Sequence, residues 1–487
     1  MGWYFITLEN RMYRFFNKAI DYIGRKSPVL VSTPRADSLG NCAEEIFFGL
    51  LKARREGKKI IFLHPQNLVL RKYVANQRLV QLDILNVIPG RYFRQIAGWL
   101  LRNLIFRNFV ANEKLFHIQS PYSIQNKYAN FFGGWLLTLE IAIMWLCYRP
   151  WLWGLRRIRL RTLPKDAESV GFDFANMTPI IGRSSLWNPD GARSFSRAVV
   201  EDLNWRRQYE EYVFPRVMEN DRRQGEQLRV QMGIPLADWF VCLHVRESGF
   251  RNDADIYRNA SIKNYINGIE AITAAGGWVV RIGDSSMSPL PFMDHVIDYP
   301  HTSYKSELMD IYLVSQCRLY VGTISGPSEV ATLFGKPTIL INAPEWSFGF
   351  PLKRGDLSII KHVFSRSRNR CLSIKEILEG HPWQVIGSGS SDYVMIENTP
   401  EEIRQVIEEF LDRPDDYEYT ELQELFREDR KTQINRWLDQ GETFRRAAPR
   451  DDLLQMYLVA SRGDVASTLG QQYLEENWLV DSLENVP

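Results

Sequence analysis

The sequence predicts an α/β protein built on doubly wound parallel sheets, and three observations lead there. Short apolar runs of strand length alternate with helix-patterned segments in two stretches, 28–64 and 239–343. The runs are continuous in apolar character, as parallel strands buried on both faces are. Glycine-bearing turns follow several of them, at the strand ends where open α/β sheets place their ligands. At roughly 150 residues per domain, 487 residues correspond to two or three domains.

The elements follow in chain order. Residues 1–27 are expected to form an N-terminal amphipathic helix. It carries Trp3, Tyr4, Phe5, Tyr13, Phe15 and Phe16 beside Arg11, Arg14, Lys18, Arg25 and Lys26. Such a helix either lies in a membrane interface or packs on its own domain. Residues 28–33 read as a buried strand, Asn41 as the cap of a helix running to about residue 56, and 59–64 as the next strand. This strand–helix–strand unit opens a first domain expected over 28–220. Its loop 35–41 holds Asp37.

Within that domain, 91–110 and 131–148 mix arginines or a glutamate with long aromatic and aliphatic runs, and Arg149–Arg161 adds tryptophans and arginines. A spanning helix needs about 20 apolar residues. The run 131–148 is shorter and contains Glu140, so shallow insertion with an Arg/Trp rim is the expectation, and a buried helical hairpin is the alternative. A strand is expected at 178–183, and a long charged helix over 194–232 leads out of the domain.

The second domain, expected over 221–412, has strands at 239–245, 278–282, 296–299, 319–321 and 338–341. Helices are expected at 262–275, ending at Gly276-Gly277, at 306–315, and at 399–411, where Thr399-Pro400-Glu401-Glu402 has the form of a helix start. Residues 413–487 are expected to form a C-terminal helical extension.

Hydrophobic residues are 45% and charged residues 24% of the chain, a globular composition. Lysine and arginine total 60 against 58 acids, a net charge of +2 that argues against a general nucleic-acid binder. Charge is unevenly spread: the first third is basic and aromatic, and the stretch from Asp415 on is acid-rich. The five cysteines, Cys42, Cys147, Cys242, Cys317 and Cys371, are scattered, without a CxxC pair. Neither a disulfide framework nor a zinc site is expected, and a reducing cytoplasm fits better. Cys242 and Cys317 lie in apolar runs and read as core residues. The N-terminus lacks the pattern of a signal peptide.

One turn dominates the candidate chemistry. Gly322-Thr323-Ile324-Ser325-Gly326-Pro327-Ser328-Glu329 follows a strand and opens a short helix. Glycines let backbone and ligand approach closely, and Pro327 suits a first helical turn. Ser325, Gly326 and Ser328 would offer hydroxyls and amides at a positive helix end, an anion site suited to phosphate; the alternative is an ordinary crossover turn. Arg246, just past the strand 239–245, has the planar fork that binds phosphate, while His244 reads either as a core histidine or as a ligand contact. Lys305 and Glu307 begin one helix and Glu329 lies one turn into another. Each can reach a nucleotide, and for Glu307 and Glu329 the alternative is a first-turn carboxylate that simply serves the helix dipole. Asp37 is the acid/base candidate. No Walker-type lysine loop, HExxH or GxSxG occurs.

Several motifs in fixed order carry a resemblance. They are His244-Val245-Arg246-Glu247-Ser248-Gly249, Gly276-Gly277-Trp278-Val279-Val280-Arg281-Ile282-Gly283-Asp284, Lys305-Ser306-Glu307-Leu308-Met309-Asp310 and Gly322-Thr323-Ile324-Ser325-Gly326-Pro327. Together they resemble a family of bacterial glycosyltransferases from surface-polysaccharide and capsule loci. More distantly, Ser325-Gly326-Pro327 is similar to the diphosphate turn of heptosyltransferases, and Asp37-Ser38-Leu39 to their acid/base loop, with Ala36 where those enzymes have glycine. The resemblance implies the GT-B fold: two Rossmann-like domains facing a cleft, an acceptor domain first and a nucleotide-sugar domain second.

It further implies transfer of a sugar from a nucleotide donor to a lipid-linked or glycan acceptor, and the basic-aromatic first third adds the expectation of peripheral contact with the inner face of the plasma membrane. Asp37 would be the base and Arg246 would steady the leaving diphosphate. The donor would meet His244, Arg246, Gly283, Asp284, Lys305, Glu307, Thr323, Ser325, Gly326, Pro327, Ser328 and Glu329. No metal and no cofactor beyond the nucleotide-sugar substrate are expected. Two rivals stand beside this. A sugar-nucleotide 2-epimerase shares the Ser-Gly turn followed by Glu and Gly-Lys-Pro, and a non-catalytic polysaccharide-assembly protein would bind the sugar nucleotide without turnover.

Overall fold

The structure is a computed structural model that describes residues 29–32, 39–40, 42–43, 46–47, 50, 59–63, 76, 78–82, 86–88, 214–247, 256–344, 346, 353–380, 392–414, 417–439 and 466–479. The chain divides into two compact units, Met1–Glu201 and Asp202–Pro487. The expected strands at 28–33 and 59–64 form as β1 (Val29–Ser32) and β2 (Lys59–Leu63). With β3 (Asn86–Ile88) they make a parallel sheet in the order β1-β2-β3. Between β1 and β2 the described residues 39–40, 42–43, 46–47 and 50 are helical, and Leu39 and Gly40 place helix upstream of the start expected at residue 41. Cys42, Ala43, Ile46, Phe47 and Leu50 are buried at the three- and four-residue spacing of one helical face.

Asp37, the expected N-terminal helix, the basic-aromatic segments of 91–161 and the expected strand at 178–183 lie outside the described residues. Among the described residues no helix is long and apolar enough to cross a membrane.

The second unit holds a seven-stranded, wholly parallel sheet. Its strands are β4 (Phe240–His244), β5 (Trp278–Arg281), β6 (Val296–Asp298), β7 (Leu319–Gly322), β8 (Thr338–Ala343), β9 (Leu357–Ile360) and β13 (Thr468–Leu469). In space they run β6-β5-β4-β7-β8-β9-β13. Counted in chain order that is 3-2-1-4-5-6-7, the doubly wound order in which the winding reverses between the first and fourth strands. Every residue of β4, β7, β8 and β9 is buried, which explains apolar runs such as Phe240–Leu243, Leu319–Val321 and Ile339–Ile341.

The helices flank this sheet in two groups. α1 (Glu219–Gln231), α3 (Glu307–Gln316) and α4 (Gly326–Leu333) pack in series, and α2 (Ile266–Ala274) packs against α6 (Pro400–Asp412). The α2–α6 contact is close because Gly268 has no side chain: a Cβ there would lie 2.6 Å from Ile407 Cδ1. α6 begins as its sequence predicts, with Thr399 and Glu402 capping each other's backbone N–H groups at 3.2 and 2.7 Å. A small antiparallel sheet of β10 (His362–Ser365), β11 (Arg370–Cys371) and β12 (Tyr393–Ile396), with α5 (Ile374–Glu379), branches off after β9.

The segment expected as a separate helical extension joins the domain. α7 (Glu421–Asp439) is helical, but β13 pairs with β9 and completes the sheet edge, and α8 (Gln471–Asn477) packs on α6 and α7. The reason is geometric: β9 would otherwise present an open edge, and two residues of strand cover it.

At the start of β9 the buried Asp356 accepts backbone hydrogen bonds from Thr338 N (2.9 Å) and Lys353 N (3.0 Å). Burial pushes its carboxyl from the ordinary 3.8 up to about 7. The folded chain thus holds a proton that the unfolded chain has released between these values, so this group's contribution to stability falls as pH rises through that window. Thermal unfolding at about pH 5 and about pH 8 should show wild type losing ground to Asp356→Asn at the higher pH. Parallel trends in the two proteins would contradict this.

Candidate functional site

The reversal point of the sheet lies between β4 and β7, where His244 stands opposite Gly322 in register. Both strands end here, and the chain leaves them in opposite directions. Open α/β sheets bind their ligands at such a reversal. The two exits are stitched together. Thr323 N donates to His244 O (2.9 Å), and Arg246 N donates to Thr323 Oγ1 (2.9 Å). Their approach requires Gly322, because a Cβ there would lie 2.0 Å from the His244 carbonyl oxygen.

The turn after β7 enters α4 with Ser325 at the N-cap in extended conformation and Pro327 in the first turn. Gly326 and Pro327 are half-buried, whereas Ser325 and Ser328 are buried. The hydroxyls expected to face a ligand are instead engaged in the turn. Ser328 Oγ accepts from Ser325 N (3.1 Å) and donates to Ser325 O (2.7 Å). Ser325 Oγ lies 3.0 Å from His244 Nδ1, 3.1 Å from Thr323 O and 3.3 Å from Tyr320 Oη. Pro327 has no N–H and the capping box engages the Ser325 and Ser328 amides, so what the turn offers an anion is the Gly326 amide at a positive helix end, while the serines fix the turn's shape.

Around this turn stand the charges. Arg246 is half-buried, and its Nη1 donates to Asn259 Oδ1 (2.8 Å). Lys361, just past β9, donates to the Asn259 carbonyl (2.6 Å), so two cations from different strand ends grip one loop residue. Burial pushes the Lys361 ammonium down. Glu329 is half-buried in the first turn of α4. Its carboxyl is pushed up by burial, with the Arg258 charge opposing.

At the end of β5 the fully buried Arg281 bonds Asp298 Oδ1 (3.2 Å) and lies 3.5 Å from Glu247 Oε2. Asp298 also receives Leu290 N and His301 Nδ1 at 2.9 Å each, and Glu247 receives Ser288 N at 2.7 Å. His244 is buried in this field. Burial first, and then the Arg281 charge, lowers its pKa to about 4, so its ring is neutral near pH 7.

The other expected donor contacts take local roles. Asp284 accepts from Ser286 N (2.9 Å) within its own loop, and Gly283 leaves room for Met287, whose Sδ a Cβ would approach to 2.2 Å. Lys305 pairs with Asp310 and sits over the Tyr299 ring at 5.2 Å. Glu307 occupies the first turn of α3. His244, Arg246, Thr323, Ser325, Gly326, Pro327, Ser328 and Glu329 are thus gathered at the reversal point or one helical turn from it.

Lys361 and Tyr320 were not singled out from the sequence, and Arg281 entered only as part of a motif. Arg281 had a legible signal: a charge closing an apolar strand must meet a partner or a ligand. Among the described residues no group of three or more histidine, cysteine or carboxylate side chains is placed to hold a metal ion.

No protein-family model, curated protein sequence or solved structure matches the chain. What the arrangement offers chemically is a helix start for an anion, an arginine beside it, and a neutral imidazole between them and the sheet.

Proposed function

We propose that this chain is a metal-independent glycosyltransferase of GT-B architecture, with the second unit binding the nucleotide-sugar donor and the first supplying the acceptor site. One observation carries the reading. Motifs separated by some eighty residues, His244 to Arg246 and Thr323 to Glu329, converge on the reversal point of a doubly wound sheet, at the start of α4. In that arrangement the Gly326 amide at the positive start of α4 and Arg246 hold the diphosphate and stabilise it as it leaves. The sugar then passes to a lipid-linked or glycan acceptor, and the basic-aromatic first third brings the enzyme to the inner membrane surface where such acceptors are made. Support for the first unit's part is its own parallel sheet, with Asp37 in the connection after β1.

Asp37 is the base that takes the acceptor proton. Asp37→Asn is expected to lower release of nucleotide by about 10²- to 10⁴-fold, the usual contribution of a general base. The assay incubates purified protein with membranes and a panel of UDP-, GDP-, CDP- and dTDP-sugars. Undiminished release would remove Asp37 from the mechanism. Turnover without membranes or acceptor would favour the epimerase, and binding without turnover the assembly protein.

A further inference from the structure

The neighbours of the Ser325 hydroxyl determine where the proton of His244 sits. Thr323 O is a carbonyl and only accepts, and all three contacts of Oγ are satisfied together when the single Ser325 O–H hydrogen goes to it across 3.1 Å. In that arrangement the other two neighbours donate. Tyr320 Oη at 3.3 Å and His244 Nδ1 at 3.0 Å fill the two lone pairs of Oγ. Tyr320 keeps its proton, because burial pushes its phenol well above the ordinary range. The charged groups around the imidazole are Arg281, Asp284, Arg246 and Lys305; three of the four are cations and oppose a second proton on the ring. A neutral imidazole with hydrogen on Nδ1 has a bare lone pair on Nε2. That atom has no hydrogen-bond partner among the described residues, and it is not one of the side-chain atoms sealed from solvent without a partner.

We infer that His244 is a ligand-reading acceptor: Ser325 and Thr323 hold its proton on Nδ1, and the outward Nε2 lone pair selects a hydroxyl donor on the bound molecule. The identity of that donor, a hydroxyl of the sugar or ribose, rests on the nucleotide-sugar reading given above. The lone pair repels phosphate oxygens, so the diphosphate belongs to the start of α4 and Arg246, and His244 reads the part of the ligand that carries hydroxyls. Ser325 is then a positioning residue and not a phosphate contact.

The test is the tautomer itself. The full-length protein labelled with ¹⁵N-histidine has seven histidines, and the signal lost in His244→Gln identifies this one in long-range ¹H–¹⁵N correlation spectra. The expected result near neutral pH is an uncharged ring protonated on Nδ1. Free histidine prefers Nε2–H, so that result is diagnostic. An Nε2–H or doubly protonated ring in the wild type overturns the inference, whether or not any nucleotide binds.

Ser325→Ala should move the proton toward Nε2, and an unchanged tautomer would end the positioning role. His244→Phe should weaken the tightest-binding nucleotide sugar by about tenfold, the worth of one good hydrogen bond, and leave pyrophosphate affinity unchanged. Equal weakening of both would contradict the division of labour. If no nucleotide sugar binds the wild type, the pocket reading fails while the tautomer result stands on its own.

Discussion

Gly322→Ala is expected to destabilise the second unit by about 3 kcal/mol or more, beyond what a crowded but yielding core usually loses. The added Cβ would meet backbone: 2.0 Å from His244 O, 2.9 Å from its carbonyl carbon and 3.1 Å from its nitrogen. The obstacle belongs to the neighbouring central strand, pinned by its ladder to β5 on one side and β7 on the other. Moving it apart would break the bond from Thr323 N to His244 O and shift His244 away from Ser325. Gly276→Ala is the control. Its φ is +83°, yet nothing lies within 4 Å of the new Cβ, so the loss there should stay near about 1 kcal/mol. Urea unfolding of both variants checks the comparison. Equal losses would mean that the two strand exits are not locked together.

Arg281→Met should be the second large effect. The guanidinium is fully buried, and its Nε and Nη2 make no hydrogen bond among the described residues, so it is held by charge as much as by geometry. Removing one partner of a buried ion pair costs about 3–5 kcal/mol because the other charge is stranded. Glu247 and Asp298 keep 16% and 18% of their side-chain surface, so water relieves part of that cost and a loss near about 3 kcal/mol is expected. Adding Glu247→Gln and Asp298→Asn should recover part of the loss, and a double-mutant cycle measures the coupling. Arg281→Met should also raise the His244 pKa, since the Arg281 charge is the second cause of its depression after burial. Full additivity, with no change at His244, would show that the network does not reach the site.

These two positions also show what was legible in the sequence. Each central strand was, because burial on both faces writes an unbroken apolar run such as Phe240 to Leu243. The strand exit that opens onto α4 was legible too, since the Gly-rich turn after Val321 marks it. The inward use of Ser325 and Ser328 was not legible. A serine at a helix start has the same letter whether its hydroxyl faces a ligand or a histidine some eighty residues away.

The edge strand β13 escaped for another reason: Thr468 and Leu469 are too few to show any period, and only their pairing with Leu357 and Ser358 makes them a strand. β9 was missed although its four residues are fully buried, because Leu357-Ser358-Ile359-Ile360 is shorter than an ordinary strand and is broken by a serine. That serine is satisfied internally, donating to Leu340 O at 2.8 Å. Lys361 gained meaning only once the sheet order put the end of β9 beside the Asn259 loop that precedes α2.

The most direct measurement of the central claim is amide hydrogen exchange on the full chain, with and without the nucleotide sugar that most raises its melting temperature. The account predicts protection concentrated at 322–329 and 244–246, the two strand exits at the reversal point. Protection elsewhere with these segments unchanged, or no stabilisation by any nucleotide sugar, would contradict it.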